Sequence, residues 1–257
     1  MIDNMSSETF DLFPRAEVRG FIQHLRDRLY LFLFIFTTGF IVGYPLSEEI
    51  IELLLNADGF KPEGVQIIIL QPMEVVLLKL RMSAQIGFML LILTLIIDLA
   101  LNGRNIIKDA KRTISDDKNI NLIVIIGAIG TSIILGFIGL LYSHEILIPM
   151  LLEYLSQDAS TAGLSSTWRL KSWIGFIVGL FFGSIVSFQT PLVSLLLLRT
   201  GVISRKSITE NRGMIWFIAI LLGAALSPPD PLSMFLVGGP IILLLEIALL
   251  VDKILRR

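Results

Sequence analysis

Three ionisable residues, Glu74, Lys79 and Arg81, stand at the start of a long apolar stretch. Glu74 and Arg81 are seven residues apart, which places them two turns apart on one face of a helix. Charged groups at membrane depth are costly, and for that reason they are candidates for a functional role. Two interpretations stay open: long side chains that reach the membrane interface, or a polar surface on the concave outer side that contacts partner helices.

Gln189 and Pro191 form a second polar feature, well inside another apolar stretch. A proline leaves the backbone carbonyl one turn back without its partner and kinks the helix. A glutamine side chain can hydrogen-bond to a neighbouring helix within the membrane. The pair predicts either a kink packed inside a helix bundle or a polar contact point for a partner transmembrane helix.

A proline-rich turn, Ser227-Pro228-Pro229-Asp230-Pro231, separates the last two apolar stretches. Its prolines fix a non-helical connection, and Asp230 suits the N-cap of the helix that follows. Glu246 lies near the far end of that helix, from which its carboxylate can reach the inner membrane interface.

The chain has no cysteine and only two histidines, His24 and His144. The absence of cysteine excludes a disulfide framework, a thiolate metal site and a cysteine nucleophile. The sequence also lacks a His-Glu-x-x-His element, paired aspartates in the membrane and a serine with a histidine at membrane depth. We therefore expect neither an enzyme nor a cofactor.

These residues must be positioned by apolar stretches that are too long for a globular core. The chain is 54% hydrophobic and 17% charged, whereas about a quarter of the residues of a soluble domain are charged. A membrane-spanning helix needs about 20 mostly apolar residues. Six stretches predict an all-α integral membrane protein: 29–46, 73–101, 122–142, 172–198, 214–226 and 232–251.

Lysine and arginine are concentrated in the segments that six spans would place on one side. Sixteen of the 21 basic residues lie before the first span, in the second and fourth loops, and in the tail. Because basic loops stay inside, both termini are expected in the cytoplasm. The predicted organisation is a cytoplasmic segment 1–28, a six-helix membrane domain 29–252 and a cytoplasmic tail 253–257. The first segment includes His24, Arg26, Asp27 and Arg28, and we expect no cleavable signal peptide.

The fifth and sixth spans are predicted to be short. Only 15 residues separate Arg212 from Pro228, which is about 22 Å of helix against a hydrocarbon core of about 30 Å. The first outer loop is acidic, and residues 47–55 are expected to form a separate amphipathic helix along the membrane surface.

Several short motifs, taken in their order and spacing, resemble those of the TatC family, the multispanning core of the twin-arginine protein translocase. Phe188-Gln189-Thr190-Pro191 is similar to the family's Phe-Glu/Gln-x-Pro, and Leu80-Arg81-Met82-Ser83 to its Leu-Lys-x-Ser. The resemblance covers roughly residues 20–252 and implies a core or receptor subunit that moves folded proteins across the cytoplasmic membrane, independently of Sec. The residues it assigns to structural motifs or partner-helix contacts are Pro72, Glu74, Arg81, Phe188, Gln189, Pro191, Pro228, Pro229, Asp230 and Glu246.

The resemblance further implies that two carboxylates on the cytoplasmic face bind the arginine pair of a signal peptide. Guanidinium groups favour carboxylates in bidentate geometry. The family carries a glutamate before the first span, and an ungapped match puts His24 in its place. The candidate residues for peptide binding are Glu17, His24, Arg26, Asp27, Asp116 and Asp117.

Partners and alternatives follow from the same resemblance. It implies single-span partners of the TatA/TatB type, a homo-oligomer in the lipid bilayer and no nucleic acid. Two alternatives stay open: a divergent paralogue with altered cargo binding, and a small-solute transporter. Transporters often have discontinuous helices in two repeated halves, and Gly238-Gly239-Pro240 has no counterpart in the first half of this chain.

Overall fold

The architecture is almost entirely helical. The computed structural model describes residues 22–57, 59–60, 66–110, 122–161, 167–201, 203–226 and 231–255. Residues 22–27 are helical and lead into the first long helix. The elements that follow are α1 (Leu29–Asn56), β1 (Gln66–Ile68), α2 (Glu74–Ala110), α3 (Leu122–Tyr142), a π-helical turn (Ser143–Leu147), α4 (Ile148–Thr161), β2 (Thr167–Arg169), α5 (Leu170–Phe188), α6 (Thr190–Thr200), α7 (Arg205–Glu210), α8 (Arg212–Leu226) and α9 (Pro231–Leu255).

Within the described ranges, five helical segments are long and apolar enough to cross a membrane. The third of them joins α3 to α4, and the fourth joins α5 to α6. A sixth apolar helix, Arg212–Ala224, is shorter. The predicted all-helical membrane fold is confirmed, with α8 as the short fifth span. The sixth span is longer than predicted, because α9 runs for 25 residues with Pro240 inside it.

Helices α1 and α2 cross with their backbones in close contact. A Cβ atom at Gly39 would lie 2.9 Å from the Cα of Gly87, and one at Gly87 would lie 2.8 Å from the carbonyl oxygen of Phe36. Close backbone packing through small residues is a main source of helix association in lipid, where the hydrophobic effect does not drive it. Helix α2 also packs against α3, α5 and α6, so it lies at the centre of the bundle.

The outer end of α1 departs from the sequence prediction. Residues 47–55 do not form a separate surface helix, because α1 continues without a break to Asn56 and has Pro45 inside it. Ile51 and Leu54 are buried there in the main apolar cluster. This burial holds the segment in line with α1, so the prediction of a separate helix is wrong.

The third span also extends further than predicted. Its helix passes Tyr142, widens into the π-helical turn and continues as α4 to Thr161. Pro149 supplies a reason, since a proline cannot donate to the carbonyl four residues before it. A π-turn shifts the local hydrogen bonds by one residue and accommodates such a gap.

The outer side of the bundle is covered by a two-stranded parallel ladder. In it, β1 pairs with β2, and Gln66 lies opposite Thr167. Below the ladder, the indole N–H of Trp173 donates to the carbonyl of Phe60 at 2.8 Å. The largest apolar cluster surrounds this contact and includes the fully buried Leu78 and Ile174. The ladder and the cluster together fix the starts of α2 and α5, from which the outer charged residues project.

Candidate peptide-binding and partner-binding sites

The inner end of α2 carries a buried carboxylate, Asp98, whose side chain is 5% exposed. Its Oδ2 lies 2.6 Å from His24 Nε2, and its Oδ1 lies 2.5 Å from Arg28 Nη1. Both carboxylate oxygens are therefore engaged by the helical segment that precedes α1. Hydrogen bonds between ionised partners are roughly twice as strong as neutral ones, so this contact ties the N-terminal segment to the inner end of α2.

Helical spacing explains why the two N-terminal residues reach the same carboxylate. His24 and Arg28 are four residues apart and share one face of the turn that leads into α1. Asp98 projects from α2, which packs against α1 along its length. The Arg28 side chain stays 39% exposed. Asp98 is thus a guanidinium site at the inner surface, and one of its ligands can still reach water.

Of the other predicted peptide-binding residues, the two that the structure describes do not join this cluster. Arg26 and Asp27 are exposed on the other side of the same helical turn. Glu17, Asp116 and Asp117 lie outside the described residues, as do Pro228, Pro229 and Asp230. The sequence analysis missed Asp98, although the rule that marked Glu74 also applies to an aspartate near the end of an apolar span.

A second inner cluster joins α9 to the segment between α6 and α8. Arg212 Nη2 donates to Glu246 Oε2 at 2.9 Å. Asp252 is 2% exposed, and its Oδ2 lies 3.9 Å from Arg205 Nη1. The Glu246 side chain is 30% exposed. These pairs fasten the inner ends of the last two spans to each other.

At the outer surface, Glu74 pairs with an arginine that the sequence analysis did not assign to it. Arg169 Nη2 and Nε donate to Glu74 Oε1 at 2.6 and 3.1 Å. The Glu74 side chain is 2% exposed, whereas that of Arg169 is 44% exposed. Arg81 shares the Glu74 face of α2 but lies against Gly175 and Gly179 of α5. Pro72 is exposed just before α2.

Lys79, the third residue of the outer group, is paired across the α1–α2 contact. Its Nζ lies 3.0 Å from Glu48 Oε2 and 5.9 Å from the centre of the Tyr44 ring. Two of the three outer residues are therefore paired with other elements, Glu74 with Arg169 of β2 and Lys79 with Glu48 of α1.

The break predicted at Gln189 is present and has a defined partner. Helix α5 ends at Phe188, and α6 restarts at Thr190 with Pro191 in its first turn. Ser132 Oγ donates to Gln189 Oε1 at 2.9 Å, and Gln189 Nε2 donates to the carbonyl of Ser132 at 3.0 Å. The glutamine thus joins α5 to α3 at membrane depth.

An apolar cavity of about 320 Å³ opens beside Gln189, between α2, α3 and α5. Gly136 and Ile185 line it, and Met89 is shared with a second cavity of about 540 Å³ closer to the outer side. Phe188 is half-buried and packs on Tyr142, with ring centres 5.6 Å apart. A groove with apolar walls and one buried amide suits a transmembrane helix that carries a single polar group.

Comparisons with known proteins agree on one family. Residues 20–240 match the family described as Sec-independent protein translocase protein (TatC). The chain is 25% identical over 233 residues to the Sec-independent protein translocase protein TatC of Listeria innocua. The aligned region covers 91% of this chain and 90% of the Listeria innocua protein. Its identity to the protein of the same name in Haemophilus influenzae is 32% over 123 residues, or 48% of each chain.

Among solved structures, the chain superposes on one described as a crystal structure of the twin-arginine translocase receptor TatC. The TM-score is 0.69 at 22% identity, over 94% of this chain and 100% of that one. At this identity, the superposition shows that the two folds are the same.

Proposed function

The chain belongs to the TatC family of Sec-independent protein translocase proteins, and we propose from this premise that it binds twin-arginine signal peptides at its cytoplasmic face. As a member of this family, it is a multi-pass membrane protein that takes part in protein transport, and it is not an enzyme. Its work is therefore recognition and movement of a folded cargo, with no covalent step.

The observation that carries the proposal is the buried carboxylate Asp98 with its two N-terminal ligands. Asp98 already holds a guanidinium, that of Arg28, at 2.5 Å. The family's usual acidic position before the first span is His24 in this chain, so the carboxylate comes from α2 instead. An incoming arginine can take the place of Arg28, because Arg28 is part-exposed and has water as an alternative surrounding.

The remaining candidates extend this surface. Asp27 is exposed on the same helical turn as the cluster, and Glu17, Asp116 and Asp117 stay candidates for the second arginine of the pair. Two arginines need two carboxylates for full charge compensation. We therefore place the first arginine of the peptide at Asp98 and the second at one of these exposed acids.

The groove beside Gln189 is the proposed binding site for a single-span partner protein. A single-span helix of the TatA/TatB type would pack into the apolar walls, and its polar group would bond to the Gln189 amide or to Ser132. The short α8 would thin the bilayer around it, because its 15 residues reach only about 22 Å. A thinned bilayer lowers the barrier for a large folded cargo.

The proposal is tested by export in cells whose own TatC gene is deleted and whose single-span partners are retained. A folded fluorescent reporter carries either an arginine pair or a lysine pair in its signal peptide. Since a lysine ammonium cannot form the bidentate pair, only the arginine reporter should reach the outer compartment when this chain is present. Equal export of both reporters, or export of neither despite stable insertion, would contradict the proposal.

A further inference from the structure

We propose that Arg81 and Lys171 together bind the phosphate of an anionic phospholipid in the outer leaflet. The proposal concerns the outer face of the α2–α5 contact, away from both the inner peptide site and the Gln189 groove. Three features support it: the position of the two cations, the absence of described ion pairs to them, and their depth in the membrane.

The guanidinium of Arg81 lies in a groove that two glycines leave open. A Cβ atom at Gly175 would lie 3.2 Å from Arg81 Nη1, and one at Gly179 would lie 3.5 Å from Arg81 Nη2. The Arg81 side chain therefore rests flat against α5, while the residue as a whole remains exposed. Part of Arg81 is therefore accessible at the surface of the bundle.

Lys171 adds a second cation to the same stripe of α5. Lys171, Gly175 and Gly179 follow one another at four-residue intervals, which places them on one helix face. Lys171 thus stands one turn before the glycine against which Arg81 rests. Two like charges on one face repel each other, and an anion placed between them removes the repulsion.

Two other cations on the described part of this outer surface are already paired. Glu48 pairs with Lys79, and Glu74 pairs with Arg169. Within the part of the chain that the structure describes, neither Arg81 nor Lys171 forms an ion pair or a side-chain hydrogen bond. The two cations therefore leave an uncompensated charge of +2 beside two balanced pairs.

Depth favours a lipid phosphate over other anions. Arg81 is seven residues into α2, about 10 Å along the helix axis from Glu74. Helical side chains lean toward the helix N-terminus, and the guanidinium of Arg81 lies beside Gly175, in the second turn of α5 from its outer start. The phosphates of the outer leaflet lie at the membrane interface, and long basic side chains extend to them.

The experiment measures lipid preference by native mass spectrometry of the full chain in detergent, with equal amounts of phosphatidylglycerol and phosphatidylcholine. The unmodified protein should retain phosphatidylglycerol preferentially. Each cation near an anionic lipid surface contributes about 1 kcal/mol, so Arg81→Gln or Lys171→Gln should reduce the preference about fivefold. The double variant should show no preference.

Two controls keep the result specific. Lys79→Gln removes one positive charge at the same depth but from a paired residue, and it should keep the full preference. Arg81→Lys keeps the positive charge and should also keep the preference for phosphatidylglycerol. It therefore separates loss of lipid binding from loss of folding. The proposal is overturned if the double variant still prefers phosphatidylglycerol, if Lys79→Gln loses as much as Arg81→Gln, or if inorganic phosphate displaces the lipid, which would indicate a site for a soluble anion.

Discussion

Asp98→Asn should remove arginine-dependent binding of a twin-arginine signal peptide, and Arg28→Gln should strengthen that binding. The asparagine keeps the shape of the side chain but loses the charge that attracts a guanidinium. A hydrogen bond to a charged group contributes about 1.5–3 kcal/mol, so the peptide affinity should fall about tenfold to a hundredfold. Arg28→Gln removes the internal competitor at 2.5 Å from the carboxylate, and the affinity should rise several-fold.

The measurement is equilibrium binding of a fluorescent signal peptide to the purified protein in lipid nanodiscs. The matched control is Asp27→Asn, which removes the same charge from an exposed residue next to Arg28. We expect Asp27→Asn to weaken binding less than Asp98→Asn does. If Asp27→Asn abolished binding and Asp98→Asn left it intact, the peptide site would lie on the exposed segment, and Asp98 would have only a structural role.

The second large effect concerns the outer pair, where the two partners differ in burial. Arg169→Gln leaves the Glu74 carboxylate buried without its cation, and breaking a buried pair in this way costs about 3–5 kcal/mol. Glu74→Gln instead leaves a guanidinium that is 44% exposed and can turn to water, so it should cost less, about 1–2 kcal/mol. The double variant should be more stable than Arg169→Gln alone, because no unpaired buried charge remains.

Thermal unfolding of the four proteins in detergent tests this order. The control is Lys206→Gln, which removes one member of the Lys206–Glu210 pair, whose side chains are 82% and 62% exposed. Exposed pairs contribute about 0–1 kcal/mol, so this variant should unfold close to the unmodified protein. Equal loss for Arg169→Gln and Glu74→Gln would refute the assignment of Glu74 as the buried partner.

The helical spans and the break at Gln189 were predictable because each depends on local sequence. Span length follows from the thickness of the bilayer, and the break follows from the missing N–H of Pro191. The π-helical turn was harder to predict from the sequence. Pro149 disturbs the hydrogen bonding of residues that precede it, and the apolar pattern there ends at Tyr142. The separate outer helix at 47–55 was predicted from the acidic loop and its amphipathic pattern, whereas burial of Ile51 and Leu54 joins it to α1.

The candidate site was only partly predictable, since its residues are distant in sequence. His24 and Arg28 could be placed at the inner surface from their charge, but their partner Asp98 lies 74 and 70 residues further along the chain. Nothing local links these positions. The same holds for Glu74, whose helical neighbour Arg81 was the obvious partner by spacing, while Arg169 reaches it through the β1–β2 ladder.

The most direct measurement is photo-crosslinking of a signal peptide to the full chain in native membranes. A photoreactive residue is placed at Gln23, which is exposed next to His24 at the inner surface, and in a separate protein at Ser172, which is exposed at the outer end of α5. We expect a crosslink from Gln23 with a twin-arginine peptide, a much weaker one with a twin-lysine peptide, and none from Ser172. A crosslink of equal strength with both peptides, or none from Gln23 in a stably inserted protein, would contradict the claim that this chain receives twin-arginine signal peptides.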